Sequence, residues 1–206
     1  MAADHNGHLK EERIRGFTLV ELLVSISIAT VIMAVVLFNY AGSSDSLAVT
    51  AAGNEMAVAI RQAQAYGLSV KESAVSSGAF GYAYGVYVNP SANPGDYVIF
   101  VDKNGSRTYD AGTGSCGSST TECVERDSFR NGIIIASIQD STGSTPSGAT
   151  GVSISFLRPN TDAAVKFTNS AGTVVSTASK AKINLSSPRG KTYSVSVENS
   201  GQILTQ

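Results

Sequence analysis

The sequence predicts an α+β chain in which a long N-terminal helix, membrane-spanning in its first half and amphipathic in its second, packs on antiparallel β-sheets. Three observations carry this. From Phe17 to Phe38 the only charged residue is Glu21, and a run of roughly 20 apolar residues is enough to cross a bilayer as one helix. Ala52, Met56, Ile60, Ala63 and Gly67 then recur at spacings of three and four, the period of a helix with one buried face. From Gly81 onward the period falls to two, as in Tyr82, Tyr84, Val86 and Val88, in Val152, Ile154 and Phe156, and in Tyr193, Val195 and Val197, which is the alternation of half-buried strands.

The elements follow in chain order. Met1 to Gly16 reads as a polar leader. It holds both histidines, His5 and His8, and lacks the apolar stretch that precedes the cut in a secretory signal peptide. Lys10, Arg13 and Arg15 lie just before the apolar run, so the positive-inside rule keeps the leader cytoplasmic and sends everything after about residue 40 outward. Residues 17–38 form the transmembrane helix and 39–68 its amphipathic continuation, with a loosening expected near Gly42 to Asp45. Residues 69–206 form a β-rich extracytoplasmic domain of about seven short strands. Within it, the continuous apolar pieces Tyr97 to Val101 and Ile133 to Ile138 suit central strands packed on both sides. Turn signals stand at Asn89-Pro90, Asn93-Pro94-Gly95, Asn104-Gly105, Pro188-Arg189-Gly190 and Asn199-Ser200-Gly201.

The overall charge of −1 over 206 residues gives no bias toward nucleic acid. Its distribution is uneven: residues 39–140 carry 6 Lys and Arg against 10 Asp and Glu, and residues 141–206 carry 6 against 2. A chain cut after Gly16 has no histidine, which excludes a Ser-His-Asp or Cys-His catalytic arrangement and any His-ligated metal. No enzyme is expected.

A carboxylate inside an apolar run costs roughly 2.5 to 3.5 kcal/mol on insertion scales, so Glu21 needs a partner and a task. A cut after Gly16 would supply one, the new α-amino group of Phe17. Arg15-Gly16-Phe17-Thr18-Leu19-Val20-Glu21 followed by the apolar helix resembles the class III signal of type IV prepilins and type II secretion pseudopilins over residues 13–38. The resemblance implies cleavage between Gly16 and Phe17 by prepilin peptidase, N-methylation of Phe17, and a filament-assembly role for Glu21. It also implies other pilin or pseudopilin subunits and an inner-membrane assembly platform as partners. The chain would be a single-pass inner-membrane protein that later enters a filament on the periplasmic or extracellular side, for pilus assembly or protein secretion. The end of the chain, Lys182-Ile183-Asn184-Leu185 and Tyr193 to Val197 followed by Asn199, Gly201 and Ile203, is similar to the pseudopilin H and FimT-like minor pilin branch.

Three further groups of residues are candidates. Cys116 and Cys123 lie outside the membrane in a Gly/Ser/Thr-rich loop, where thiols oxidise. A disulfide closing this small ring would contribute about 2.5 kcal/mol on the chain-entropy account, whereas a metal site would need two more ligands. Asp102, Asn104 and Asp110 place oxygens around Gly105 like the opening of a calcium loop, without the bidentate Glu such a loop requires. The same residues also suit a hairpin in which Tyr97 to Asp102 returns through Arg107 to Tyr109. Lys180, Lys182, Arg189 and Lys191, with Arg158 and Lys166 able to join them, could attract a phosphate backbone, and some FimT-like minor pilins use a basic C-terminal region in DNA uptake. A solvated face, or one complementary to the acidic middle of the next subunit, would explain the same cations.

Overall fold

The computed structural model describes residues 16–69, 72–73 and 76–206, so the expectations placed on residues 1–15, the leader cations and histidines among them, lie outside the described residues. The chain divides into two compact units, Met1–Ala41 and Gly42–Gln206, and the architecture is α+β, as the sequence predicts. Helix α1 (Leu19–Leu68) contributes to both units. Its backbone continues as helix through Gly42 to Asp45, where a loosening was expected. From Leu19 to Phe38 it is long and apolar enough to cross a membrane, and none of that stretch is buried within the chain.

In the second unit the three-and-four spacing becomes a packed face. Val49, Ala52, Met56, Ala59, Ile60 and Ala63 are all buried, and they meet the inner faces of two sheets in one core. The larger sheet has the order β5-β4-β3-β7-β8-β9, built from β3 (Ala83–Asn89), β4 (Asn93–Asp102), β5 (Cys123–Ser128), β7 (Gly151–Phe156), β8 (Ala163–Thr168) and β9 (Val174–Ala178). The smaller runs β12-β11-β10-β6, from β6 (Ile134–Gln139), β10 (Lys180–Ser186), β11 (Thr192–Glu198) and β12 (Ile203–Thr205). A short pair, β1 (Glu72–Ser73) and β2 (Ser76–Phe80), stands apart. All pairings are antiparallel.

Register puts the alternating residues where the sequence predicts. Val86 pairs with Ile99 on one side and Ile154 on the other, and Ile183 pairs with Val195 and Ile138. Two of the expectations fail. The described strands number twelve rather than about seven, because β1, β2, β9 and β12 are short and poor in alternating apolar residues. Ile133 to Ile138 is also no central piece: β6 is an edge strand, and Ile134 is 43 % exposed. Tyr97 to Val101, by contrast, is buried on both faces of β4.

Helix and sheets approach closely where side chains are missing. A Cβ on Gly67 would lie 2.5 Å from the Phe156 carbonyl oxygen, and one on Gly53 would meet the Tyr193 ring. Polar ties flank the apolar face. The Tyr97 hydroxyl donates to Glu55 Oε1 at 3.1 Å, and burial, reinforced by the nearby Glu55 carboxylate, raises its pKa above the ordinary value.

Candidate functional site

At the start of α1 the sequence sets a precise boundary. Residues 16–18 have no regular structure and the helix opens at Leu19. The Thr18 hydroxyl accepts a hydrogen bond from the Glu21 backbone N–H at 3.2 Å, and the Thr18 carbonyl accepts one from Leu22. Thr18 is therefore the N-cap, and Thr18-x-x-Glu21 has capping-box spacing. Sequence reasoning passed over this role of Thr18, although the spacing is legible. Its consequence is that the Gly16–Phe17 peptide stays outside the helix, with Phe17 75 % exposed and, among the described residues, nothing within 4 Å of where a Gly16 Cβ would stand. Hydroxyls further along the apolar run bond their own backbone, Ser25 to the Glu21 carbonyl and Ser27 to that of Leu23. They add little polarity to a surface that must face lipid or other helices.

Cys116 and Cys123 form a disulfide, and what it closes is larger than the ring. Residues 103–122 form a long loop between β4 and β5, so the hairpin expected to return through Arg107 to Tyr109 does not form: β4 pairs with β5 and β3 instead. The loop folds over the outer face of the larger sheet. Arg107, at φ 62, bonds Ser155 through Nε at 3.0 Å and Nη2 at 2.9 Å. Lys166 Nζ donates to the Ser106 carbonyl at 2.7 Å, and the Tyr109 ring packs on Tyr87 and Phe100.

Buried Glu122 pins this loop, accepting from Lys103 N at 2.8 Å through one oxygen and from Asp110 N at 2.9 Å through the other. Burial pushes its carboxyl above the ordinary 4.5; the two N–H donors pull the other way, and the Asp110 and Asp102 charges add to the rise. A raised folded value means that the folded state holds the proton more tightly than the unfolded chain. The associated stabilisation is complete below the unfolded value and is lost as pH rises through the folded one. The stability of the parent chain relative to Glu122→Gln should therefore fall as pH rises from about 4 toward neutrality. Denaturant unfolding of both chains across that range checks this, and a pH-independent difference would count against it.

The residues considered for calcium serve the same loop. Asp102 is buried and accepts from Ser106 N and Arg107 N at 3.0 and 2.8 Å, while the Asn104 amide donates to Asp110 Oδ2 at 2.7 Å. Their lone pairs face N–H donors, and among the described residues no group of three or more His, Cys, Asp or Glu is placed to hold a metal ion.

The C-terminal cations are divided among different tasks. Lys180 and Lys182 stand on β10, register-paired with Glu198 and Ser196, and Lys180 Nζ lies 3.9 Å from Glu198 Oε1. Arg189, in the β10–β11 turn, lies 3.3 Å from Asp45, which is only 8 % exposed and also accepts from the Ser187 hydroxyl. Lys191 is exposed in the same turn. Lys166 belongs to the other sheet, under the disulfide loop, so it does not join the other cations as the sequence allowed.

The chain thus combines a capped apolar helix, long enough to cross a membrane and preceded by an exposed non-helical junction, with a disulfide-braced α+β domain. Residues 13–37 match the family model of the prokaryotic N-terminal methylation motif. The chain carries this prepilin-type start as type IV pilins and pseudopilins do, and the motif implies processing by prepilin peptidase and assembly with other pilins. No curated protein and no solved structure matches the chain.

Proposed function

We propose that this chain is a structural, minor subunit of a type IV pilus-like filament or a type II secretion pseudopilus. Prepilin peptidase cuts it between Gly16 and Phe17 and methylates the Phe17 amine. The observation that carries the reading is the exposed, non-helical Gly16–Phe17 junction within the matched stretch, directly before a capped apolar helix. The helix anchors the subunit in the inner membrane with its leader cytoplasmic and its domain outside, consistent with Lys10, Arg13 and Arg15 before the helix and a disulfide after it. On assembly the helix leaves lipid for the filament core, and Glu21 takes the Phe17 amine of a neighbouring subunit. Minor status fits a mid-chain disulfide, since major pilins tend to close a C-terminal loop. The basic end of the chain is read as a subunit-contact surface: Lys180 and Arg189 lie beside Glu198 and Asp45 of their own chain, and the acidic residues 39–140 of a neighbouring subunit offer the complementary charge.

Expression with a prepilin peptidase should yield a chain whose mass and N-terminal sequence begin at N-methylated Phe17, whereas Gly16→Arg should retain the leader completely. An uncut parent chain, or a shortened Gly16→Arg chain, would overturn the reading.

A further inference from the structure

The disulfide loop does more than cover the outer face of the larger sheet: it completes a cleft there. Between the loop, the β3–β4 turn and the β8–β9 turn lies a cavity of about 340 Å³, within the range of small-ligand sites. Its floor is aromatic. A Cβ on Gly151 would lie 2.6 to 2.9 Å from the ring and hydroxyl of Tyr87, so the Tyr87 side chain occupies the space that any larger residue there would fill. Tyr109 comes down from the loop with its ring centroid 5.1 Å away at 37°. Gly151 thus has a use that strand propensity does not give it, the close approach of a ring.

The rim is polar and its charges are nearly balanced. Asp96 and Arg126 form a loose pair at 3.9 Å, Asp110 stands on the loop, and the amides of Asn93 and Asn169 border the two turns. The Asn89 amide donates to the Tyr87 hydroxyl at 3.1 Å, which leaves that hydroxyl's proton for another acceptor. The walls are set before any ligand arrives, since Glu122 holds the loop at Lys103 and Asp110 and the disulfide holds its far end. Such pre-organisation removes the ordering cost of binding.

This chemistry selects a ligand class. Two carboxylates against one guanidinium disfavour a phosphate or other anion, and so few apolar side chains disfavour a lipid. Flat tyrosine rings bordered by amides and carboxylates suit a molecule with an apolar C–H face and a hydroxyl-bearing edge. We infer that the cleft binds a neutral saccharide, one sugar ring against Tyr87 and Tyr109 with its hydroxyls toward Asp96, Asp110 and the asparagines. The site is independent of the filament reading, so either can fail alone.

The full-length chain, in a zwitterionic detergent without sugar headgroups, should be titrated with linear tetrasaccharides of glucose, galactose and N-acetylglucosamine. A uronate tetrasaccharide and a thymidine tetranucleotide serve as anionic probes. At least one neutral saccharide should saturate tyrosine fluorescence at millimolar concentration, and the anionic probes should bind at least about tenfold more weakly. Tyr109→Ala should raise the Kd at least about tenfold. Ala171→Trp, on the exposed β8–β9 turn and outside the pinned loop, should do the same while leaving the unfolding midpoint unchanged. The proposal is overturned if no neutral saccharide binds below about 20 mM, if an anionic probe binds more tightly, or if Ala171→Trp binds like the parent.

Discussion

Glu21→Ala is expected to insert in the membrane and lose its leader normally, yet to enter filaments at a tenth or less of the parent level. Insertion should survive because the substitution removes the only charge between Phe17 and Phe38, relieving a cost of roughly 2.5 to 3.5 kcal/mol. The helix start should survive too: Thr18 bonds the backbone N–H of residue 21, not its side chain. An acid in the first turn adds only about 0.3 to 1 kcal/mol through the helix dipole, too little to govern whether a subunit is incorporated. On the proposed filament role, what the variant lacks is a charge to meet the amine of a neighbouring Phe17 in a low-dielectric helix bundle. An amine left unpaired there costs about 3 to 5 kcal/mol, or roughly two to four orders of magnitude in incorporation. The measurement is the fraction of variant chain in sheared filaments when parent and variant are co-expressed. Equal incorporation would remove Glu21 from assembly and leave it as a helix-start residue.

The helix was legible because both halves announce themselves in one dimension, the first by composition and the second by the spacing of Ala52, Met56, Ile60 and Ala63. The central strands were legible for the same reason, since Val86 or Ile154 alternates with smaller or polar neighbours. What stayed hidden depends on pairing. Ile133 to Ile138 is apolar but for Ser137, and only the strand order shows that it lies at an edge. The loop over residues 103–122 is set by bonds that bridge long separations, from Glu122 to Lys103 and Asp110 and from Arg107 to Ser155. No local pattern encodes these. The same limit split the cations: Lys166 and Lys180 are near in sequence but stand on different sheets. The Thr18 cap, in contrast, had a local signal in the Thr18-x-x-Glu21 spacing.

Ile60→Ala should be among the most costly single changes in the domain, lowering unfolding free energy by about 2 to 5 kcal/mol. Ile60 is 0 % exposed and belongs to the core that joins α1 to both sheets. Where the lost volume could be refilled decides the position within that range. The helix cannot move inward on either side of Ile60, because Gly67 already stands against the Phe156 backbone and Gly53 against the Tyr193 ring. The cavity should therefore stay open and the cost should lie in the upper half of the range, a fall of roughly 10 °C in Tm. Gly67→Ala tests the same constraint from the other direction. Helix propensity alone favours Ala by about 0.8 to 1 kcal/mol, but the added Cβ would lie 2.5 Å from the Phe156 carbonyl oxygen, whose strand is paired to β3 and β8. Overpacking against fixed backbone costs about 1 to 3 kcal/mol, so the variant should lose stability despite its better helix former. Denaturant unfolding of the full chain measures both. A loss under about 1 kcal/mol for Ile60→Ala, or a gain for Gly67→Ala, would show that the helix can shift on the sheets and that the close glycine contacts do not set its depth.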